Sequence, residues 1–282
     1  FPKAIAKVDE RTGAPTAAAI AAGLCEVAVI VYAATPRSGD NPFSGGGPSI
    51  GNSASAFFQW DLPYGLGLPA TSYSLAARRH QHQFGTTSEQ LAQIAVSFRE
   101  WAVDNPLPYH QEPITVDDVL SSPLVAEPLH KLDCCLVTDG AGAVVVTSAE
   151  RARDLRSAPV YVLGAGTAHT HGMSISQMRD LTTTGAAVSG PQAMAMAGIQ
   201  PADVDVIELY DSFTITALMT LEDLGFCAKG EGGAFVEDGR LRFARLERTV
   251  EMVPQALAMF VRSETVRLAQ YLITLRVLPR EG

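Results

Sequence analysis

Short apolar runs alternate with helix-period segments along this chain, and that alternation confines it to an α/β fold. The runs are 27–32 (VAVIVY), 134–137 (CCLV), 143–147 (AVVVT), 160–163 (VYVL) and 204–209 (VDVIEL). Near-continuous apolar strands are buried on both faces, so the pattern predicts a mostly parallel sheet covered by helices. The segment 17–34 is almost wholly apolar, but Gly23 and Glu26 interrupt it. A helix over 15–22, a glycine C-cap and a buried strand over 27–32 account for it better than a membrane span.

Helix starts are written clearly. Thr86-Thr87-Ser88-Glu89-Gln90 reads as a capping box opening a helix to about Asp104. Thr115 caps a short helix that Pro123 stops, and Ser148 caps another over 149–155. Residues 190–198 form a short helix. Residues 36–69 (rich in Gly, Ser, Pro and Asn) read as loop. The SGGGPS within them lacks the Gly-Lys-Ser/Thr ending of a phosphate cradle. Asp139-Gly140 is a turn signal between the strand candidates 134–137 and 143–147. Gly164-Ala165-Gly166 reads as a tight turn that ends the strand at 163, since no third glycine opens a helix.

The 282 residues are 47% apolar and 18% charged, a globular composition with a net charge of −9. That acidity speaks against a nucleic-acid or anionic-membrane partner. The charge is uneven: residues 240–282 hold eight Arg and no Lys against four Glu, and no glycine separates Gly239 from Gly282. Four cysteines, two of them adjacent, suit reduced thiols in a cytoplasmic protein rather than a disulfide framework. Buried small hydrophobe is the expected role of each. The chain opens on Phe-Pro-Lys with no signal-peptide pattern and no initiator Met, so it is expected to start inside a longer one.

The strongest site candidate is the junction 209–213. A buried strand there runs into an amphipathic helix over 213–224, closed by Gly225. The helix amino end favours developing negative charge, and Tyr210 offers a phenol that can give or take a proton. Tyr210 equally suits a core-edge aromatic, and Asp211 or Ser212 an N-cap. The pairs His80-x-His82 and His169-x-His171 have a spacing seen in metal sites, but no Cys or carboxylate set accompanies them. The first is expected on a polar helix or loop beside Arg78 and Arg79, the second in a turn, and no metal site is expected.

Four long motifs occur in a telling order: FGTTSEQLAQIAV (84–96), PITVDDVL (113–120), LDCCLVTDGAGAVVVTSAERARDL (132–155) and ELYDSFTITALMTLEDLGFCAKGEGGAFVEDGRL (208–241). They resemble the thiolase superfamily, in the branch of sterol-carrier-type thiolases and bacterial lipid-transfer-protein homologues. Residues 17–32 resemble the helix and strand after the nucleophile loop. The resemblance implies an α/β thiolase fold, a five-layer αβαβα arrangement of two similar halves. Residues 1–35 and 128–155 would belong to the first half, 36–127 to an inserted loop domain, and 156–282 to the second half, with an atypical tail from 242. It also implies homodimers and acyl-CoA substrates, with no bound cofactor.

The departures from that family redirect the chemistry. The nucleophilic Cys would fall near Ala6, and no Cys precedes Cys25. Val253 stands where the catalytic His belongs, and the C-terminal Cys-x-Gly is missing. Tyr210-Asp211-Ser212-Phe213 matches the family's Asn-Glu-Ala-Phe or His-Asp-Cys-Phe, so Tyr210 replaces the oxyanion-hole Asn or His. This resembles the steroid side-chain aldolases of the branch. They cleave a β-hydroxyacyl-CoA by retro-aldol chemistry without a Cys nucleophile, beside a small acyl-CoA-binding partner with an OB-fold and a zinc ribbon. The resemblance thus makes Tyr210 and Asp211 catalytic and Ser212 and Phe213 substrate-binding. The family's second tyrosine would fall near 250–258, where there is none. The alternatives are an acetyl-CoA acyltransferase whose catalytic segments lie outside this chain, and a non-catalytic acyl-CoA- or lipid-binding subunit.

Overall fold

Gly23 splits the first apolar stretch as its sequence suggests. The computed structural model describes residues 5–7, 13–38, 57–66, 69–103, 110–156, 160–171, 175–204, 206–237, 239–241, 257–263 and 269–277. Strand β1 (Ile5–Lys7) precedes helix α1 (Gly13–Ala21). Gly23 then takes φ +71°, a left-handed conformation that closes the helix, and Leu24 N–H reaches back to the Ala19 carbonyl at 2.9 Å. Strand β2 (Val27–Ala34) follows. No helix among the described residues is long and apolar enough to cross a membrane.

The chain leaves this sheet after β2. Helices α2 (Pro69–Phe84), α3 (Ser88–Val103) and α4 (Val116–Ser121) come next, then a small hairpin of β3 (Leu124–Ala126) and β4 (Leu129–His130). Within the expected loop 36–69, residues 57–64 form one π turn and one 3₁₀ turn. The expected capping box at Thr87 closes reciprocally, and so does the cap expected at Thr115. Thr87 exchanges hydrogen bonds with Gln90 at 3.0 and 3.3 Å, and Thr115 with Asp118 at 2.8 and 3.1 Å.

Strand β5 (Gly140–Thr147) brings the chain back, antiparallel to β2 from Val27↔Thr147 to Ala34↔Gly140. Asp139-Gly140 is therefore no hairpin between two apolar strands, and 134–137 carries a single bridge (Cys134 to Phe213) instead of a strand. The Asp139 carboxylate accepts the N–H groups of Arg37 and Ser38 at 2.8 and 3.2 Å, tying the start of the excursion to its end.

Helix α5 (Ala149–Arg153) leads to β6 (Val160–His169), then α6 (Ala186–Ala197), β7 (Val206–Leu209), α7 (Thr214–Asp223) and α8 (Gly232–Glu237). Gly164 and Gly166 do not end β6; they let α6 lie on its backbone. A Cβ at Gly164 would stand 2.1 Å from the Ala193 carbonyl oxygen, and one at Gly166 2.1 Å from that of Ser189. The atypical tail supplies β8 (Leu257–Ser263) and β9 (Ala269–Val277), completing a sheet of order β6-β9-β8-β7. Of the described pairings in the two larger sheets, β1 with β2 and β7 with β8 are parallel; β2–β5, β6–β9 and β8–β9 are antiparallel. The mostly parallel sheet expected from buried runs is thus a mixed one. The expected burial on both faces does not hold for β5, which is largely exposed, and an apolar run does not fix strand direction.

The expected amphipathic helix over 213–224 is buried nearly all round. Ile215, Ala217, Leu218 and Leu221 are fully enclosed, packed with Tyr73, Ala76 and Ala77 of α2, Leu91 and Ile94 of α3, and Val236 of α8. Each enclosed Leu or Ile contributes roughly 1.5–3 kcal/mol. The polar residues of α7 are enclosed too, and each has an internal partner. Thr214 donates to Asp133, Thr216 meets Ser212, Thr220 donates to the Thr216 carbonyl and Glu222 meets His80.

Candidate active site

The junction of β7 and α7 is held in place by the segment that runs into β5. The buried Asp133 carboxylate accepts Thr214 Oγ1–H and His130 N–H, each at 2.8 Å. Cys135 N–H donates to the Ser212 carbonyl at 3.0 Å, and Cys134 bridges Phe213. Residues 133–135 are therefore laced to 212–214 on both sides of the turn. Burial raises the pKa of the Cys135 thiol, the Tyr210 hydroxyl works against that rise, and the Asp211 carboxylate adds to it.

Asp211 is not the helix cap. Phe213 occupies the N-cap position, and no side chain caps the helix there. The Asp211 carboxylate is largely withdrawn from water, and burial lifts it from its ordinary 3.8 to about 6, against the opposing hydrogen bond from its own N–H. A carboxyl group titrating near 6 beside a phenol suits proton transfer at neutral pH.

Ser212 and Phe213, the residues expected to contact substrate, pack inside the junction. Ser212 is 1% exposed, with its hydroxyl 2.9 Å from that of Thr216. Phe213 stacks on Tyr73 with ring centroids 4.6 Å apart and belongs to the core. Both therefore build the junction that presents Tyr210 and Asp211.

The cysteines divide by environment. Burial, with Asp133 and Cys135 nearby, pushes the Cys134 thiol up to about 12; burial, with Glu222 and Glu231, does the same for Cys227. Such thiols are poor nucleophiles. Cys135 is exposed, contrary to its expected burial, although desolvation of its sulfur still raises its pKa. All four cysteines are free.

The histidine pairs also resolve. His80 and His82 lie two residues apart on α2 and face away from one another: His82 is exposed, whereas His80 is wholly enclosed. The polar surface expected around this pair holds only for His82. His80 Nε2 stands 3.0 Å from Glu222, and Nδ1 2.7 Å from the Thr86 hydroxyl. His169 ends β6 rather than lying in a turn. Among the described residues, no group of three or more His, Cys, Asp or Glu could hold a metal ion. The positions that would align with the family's catalytic Cys and His, near Ala6 and at Val253, lie respectively in β1 and outside the described residues.

Comparison with known proteins gives this geometry a lineage. Residues 134–244 match the family model "Thiolase C-terminal domain-like". A steroid side-chain-cleaving aldolase of Thermomonospora curvata is 41% identical over 232 residues, covering 80% of this chain and 59% of that protein. A 17-hydroxy-3-oxo-4-pregnene-20-carboxyl-CoA lyase of Mycobacterium tuberculosis is 40% identical over 243 residues, covering 80% and 60%. The chain thus spans about three-fifths of the length of these curated relatives. A solved Ltp2–ChsH2(DUF35) aldolase superposes with a TM-score of 0.80 at 31% identity, covering 93% of this chain and 75% of that one. The α/β architecture is the thiolase fold expected from the motifs, and the chain belongs to the thiolase superfamily, in the branch of sterol-carrier-type thiolases and steroid side-chain aldolases.

Proposed function

We propose that this protein cleaves a carbon–carbon bond of a β-hydroxyacyl-CoA of the steroid side-chain type by a retro-aldol reaction. One observation carries the reading: a phenol and a carboxyl group that burial lifts to about 6 follow one another at the strand–helix junction, while burial raises the pKa of the thiols of Cys134 and Cys135. The β-hydroxyl proton passes to a base and the C–O bond becomes C=O. The Cα–Cβ electron pair moves into the thioester as an enolate, which takes one proton at Cα. The step is redox-neutral, so it calls for no redox cofactor and no acyl-enzyme. Tyr210 handles the proton at the hydroxyl, Asp211 is the second acid/base group, and the positive end of the α7 dipole favours the enolate.

In this reading 36–127 is the loop domain inserted into the first half (1–35 and 128–155), and 156–282 is the second half. The protein works as a homodimer with a small acyl-CoA-binding partner built of an OB-fold and a zinc ribbon. The names of the two curated relatives support the substrate class. The test uses the full-length protein with its partner subunit and a 17-hydroxy steroid 20-carboxyl-CoA. The expected products are the C17 ketone and the shortened acyl-CoA in equal amounts, without added CoA. Cleavage that requires free CoA would identify a thiolase instead.

Asp211 gives this reading a pH signature. As pH falls through 6 its carboxylate takes up a proton, so kcat/KM is expected to fall along a limb near 6 that Asp211→Asn removes. Stability moves the other way. The folded pKa lies above the ordinary one, so this group's contribution is fully present below 3.8 and is lost as pH rises through about 6. Asp211→Asn is therefore expected to stabilise the protein at pH 7.5 by about 2–3 kcal/mol, with the gain vanishing near pH 4 in denaturant titrations.

A further inference from the structure

We infer that Asp133 is a positioning residue for Tyr210 and Asp211: its carboxylate clamps the first residue of α7 and so holds the turn that carries them in one shape. This role rests on those proposed for Tyr210 and Asp211, and it falls to a group from another part of the chain. Asp133 is buried, and its two oxygens have separate partners. Oδ1 accepts the Thr214 hydroxyl at 2.8 Å, and Oδ2 accepts the His130 N–H at 2.8 Å. The carboxylate therefore ties the start of α7 to the end of β4. Thr214 is buried as well, so solvent does not stand ready to replace its partner.

The local sequence explains why such a clamp is needed. The N-cap position of α7 is Phe213, whose side chain lies in the core and has no oxygen to offer the first turn. The start of α7 is instead fixed from outside, by a carboxylate 81 residues away in the chain. Beside that bond, Cys135 N–H holds the Ser212 carbonyl at 3.0 Å, and Thr216 N–H donates to the Phe213 carbonyl at 2.9 Å. Tyr210 and Asp211 thus lie between two fixed points, the end of β7 at Leu209 and the pinned residues 212–214. Reacting groups tolerate little misplacement: a shift of about 1 Å can cost about 10²-fold in rate. Loss of the Thr214 bond loosens the far anchor of the turn and leaves both reacting side chains chemically intact.

Two measurements test this, one of which needs no turnover. Asp133→Ala would also strand the His130 N–H, so the donor side of the bond is altered instead. In steady-state kinetics of the full-length protein with its partner, Thr214→Val keeps the shape and removes the donor. It is expected to lower kcat about tenfold with KM little changed, because misdirected reacting groups slow chemistry more than binding. Thr214→Ser, which keeps the hydroxyl, is expected to restore most of the loss. A bond that served only the folded state would leave the kcat of the folded enzyme unchanged. In the absence of substrate, deuterium exchange is followed by mass spectrometry on the peptides that carry the Cys135 and Thr216 amides. Exchange is expected to quicken several-fold in Thr214→Val and to return toward wild type in Thr214→Ser. Wild-type kcat in Thr214→Val, a serine variant no better than valine, or unchanged exchange would each overturn the inference. If no form cleaves the substrate, the proposed function falls and the exchange rates alone decide whether Asp133 holds the turn.

Discussion

Replacing His80 with alanine is expected to destabilise the fold by about 3–5 kcal/mol, the loss typical of leaving a buried carboxylate without its partner. The imidazole and the Glu222 carboxylate are both fully enclosed. An ionised carboxylate has no proton to give, so Nε2–H donates to it at 3.0 Å while Nδ1 meets the Thr86 hydroxyl at 2.7 Å. Glu222 also accepts Gly232 N–H at 2.9 Å and lies 3.2 Å from Lys229 Nζ. Lys229 in turn reaches Asp223 at 2.5 Å and the Thr182 carbonyl at 2.8 Å. Alanine at position 80 leaves a cavity at the α2–α7 contact and strips the carboxylate of one of its enclosed donors. Burial alone would raise the Glu222 pKa, but His80, Gly232 N–H and Lys229 together outweigh it and hold it below its ordinary 4.5. The stability linked to Glu222 is thus present above pH 4.5 and lost as pH falls through the lowered value. In urea titrations the gap between wild type and His80→Ala is expected to be full at pH 7 and to narrow below pH 4.5. Glu222→Gln, which keeps shape and an acceptor, is expected to lose less than His80→Ala.

His80 shows where sequence reading stops. Its neighbours Arg78, Arg79 and His82 make the segment look polar, and its true partner lies 142 residues away. Nothing local records that pairing. The capping boxes at Thr87 and Thr115 were legible because their bonds close within three residues. The β7–α7 junction was legible for the same reason: strand, turn and helix are contiguous. Gly164 and Gly166 were misread because glycine signals a turn and a close backbone approach alike, and only α6 lying on β6 decides between them. The direction of β5 was hidden because an apolar run marks a strand but neither which way it runs nor that it is covered, and β5 is largely exposed. The tail strands β8 and β9 lie among Arg-rich sequence unlike the rest of the chain. At the junction, Tyr210 and Asp211 are consecutive and so visible as a pair, whereas nothing local in the sequence records the lacing of 133–135 onto 212–214.

Tyr210→Phe is expected to lower kcat/KM for a β-hydroxyacyl-CoA by about 10²–10⁴-fold, the usual contribution of a positioned acid/base group. The substitution removes one oxygen and keeps the ring, so the junction should survive it. Phe213 still stacks on Tyr73, Ser212 still meets Thr216, and Asp133 still accepts from Thr214. Two measurements on the same preparation separate the readings of this residue. A core-edge aromatic would lose little activity on becoming phenylalanine. An acid/base group would lose nearly all of it while the denaturation midpoint stays near that of wild type.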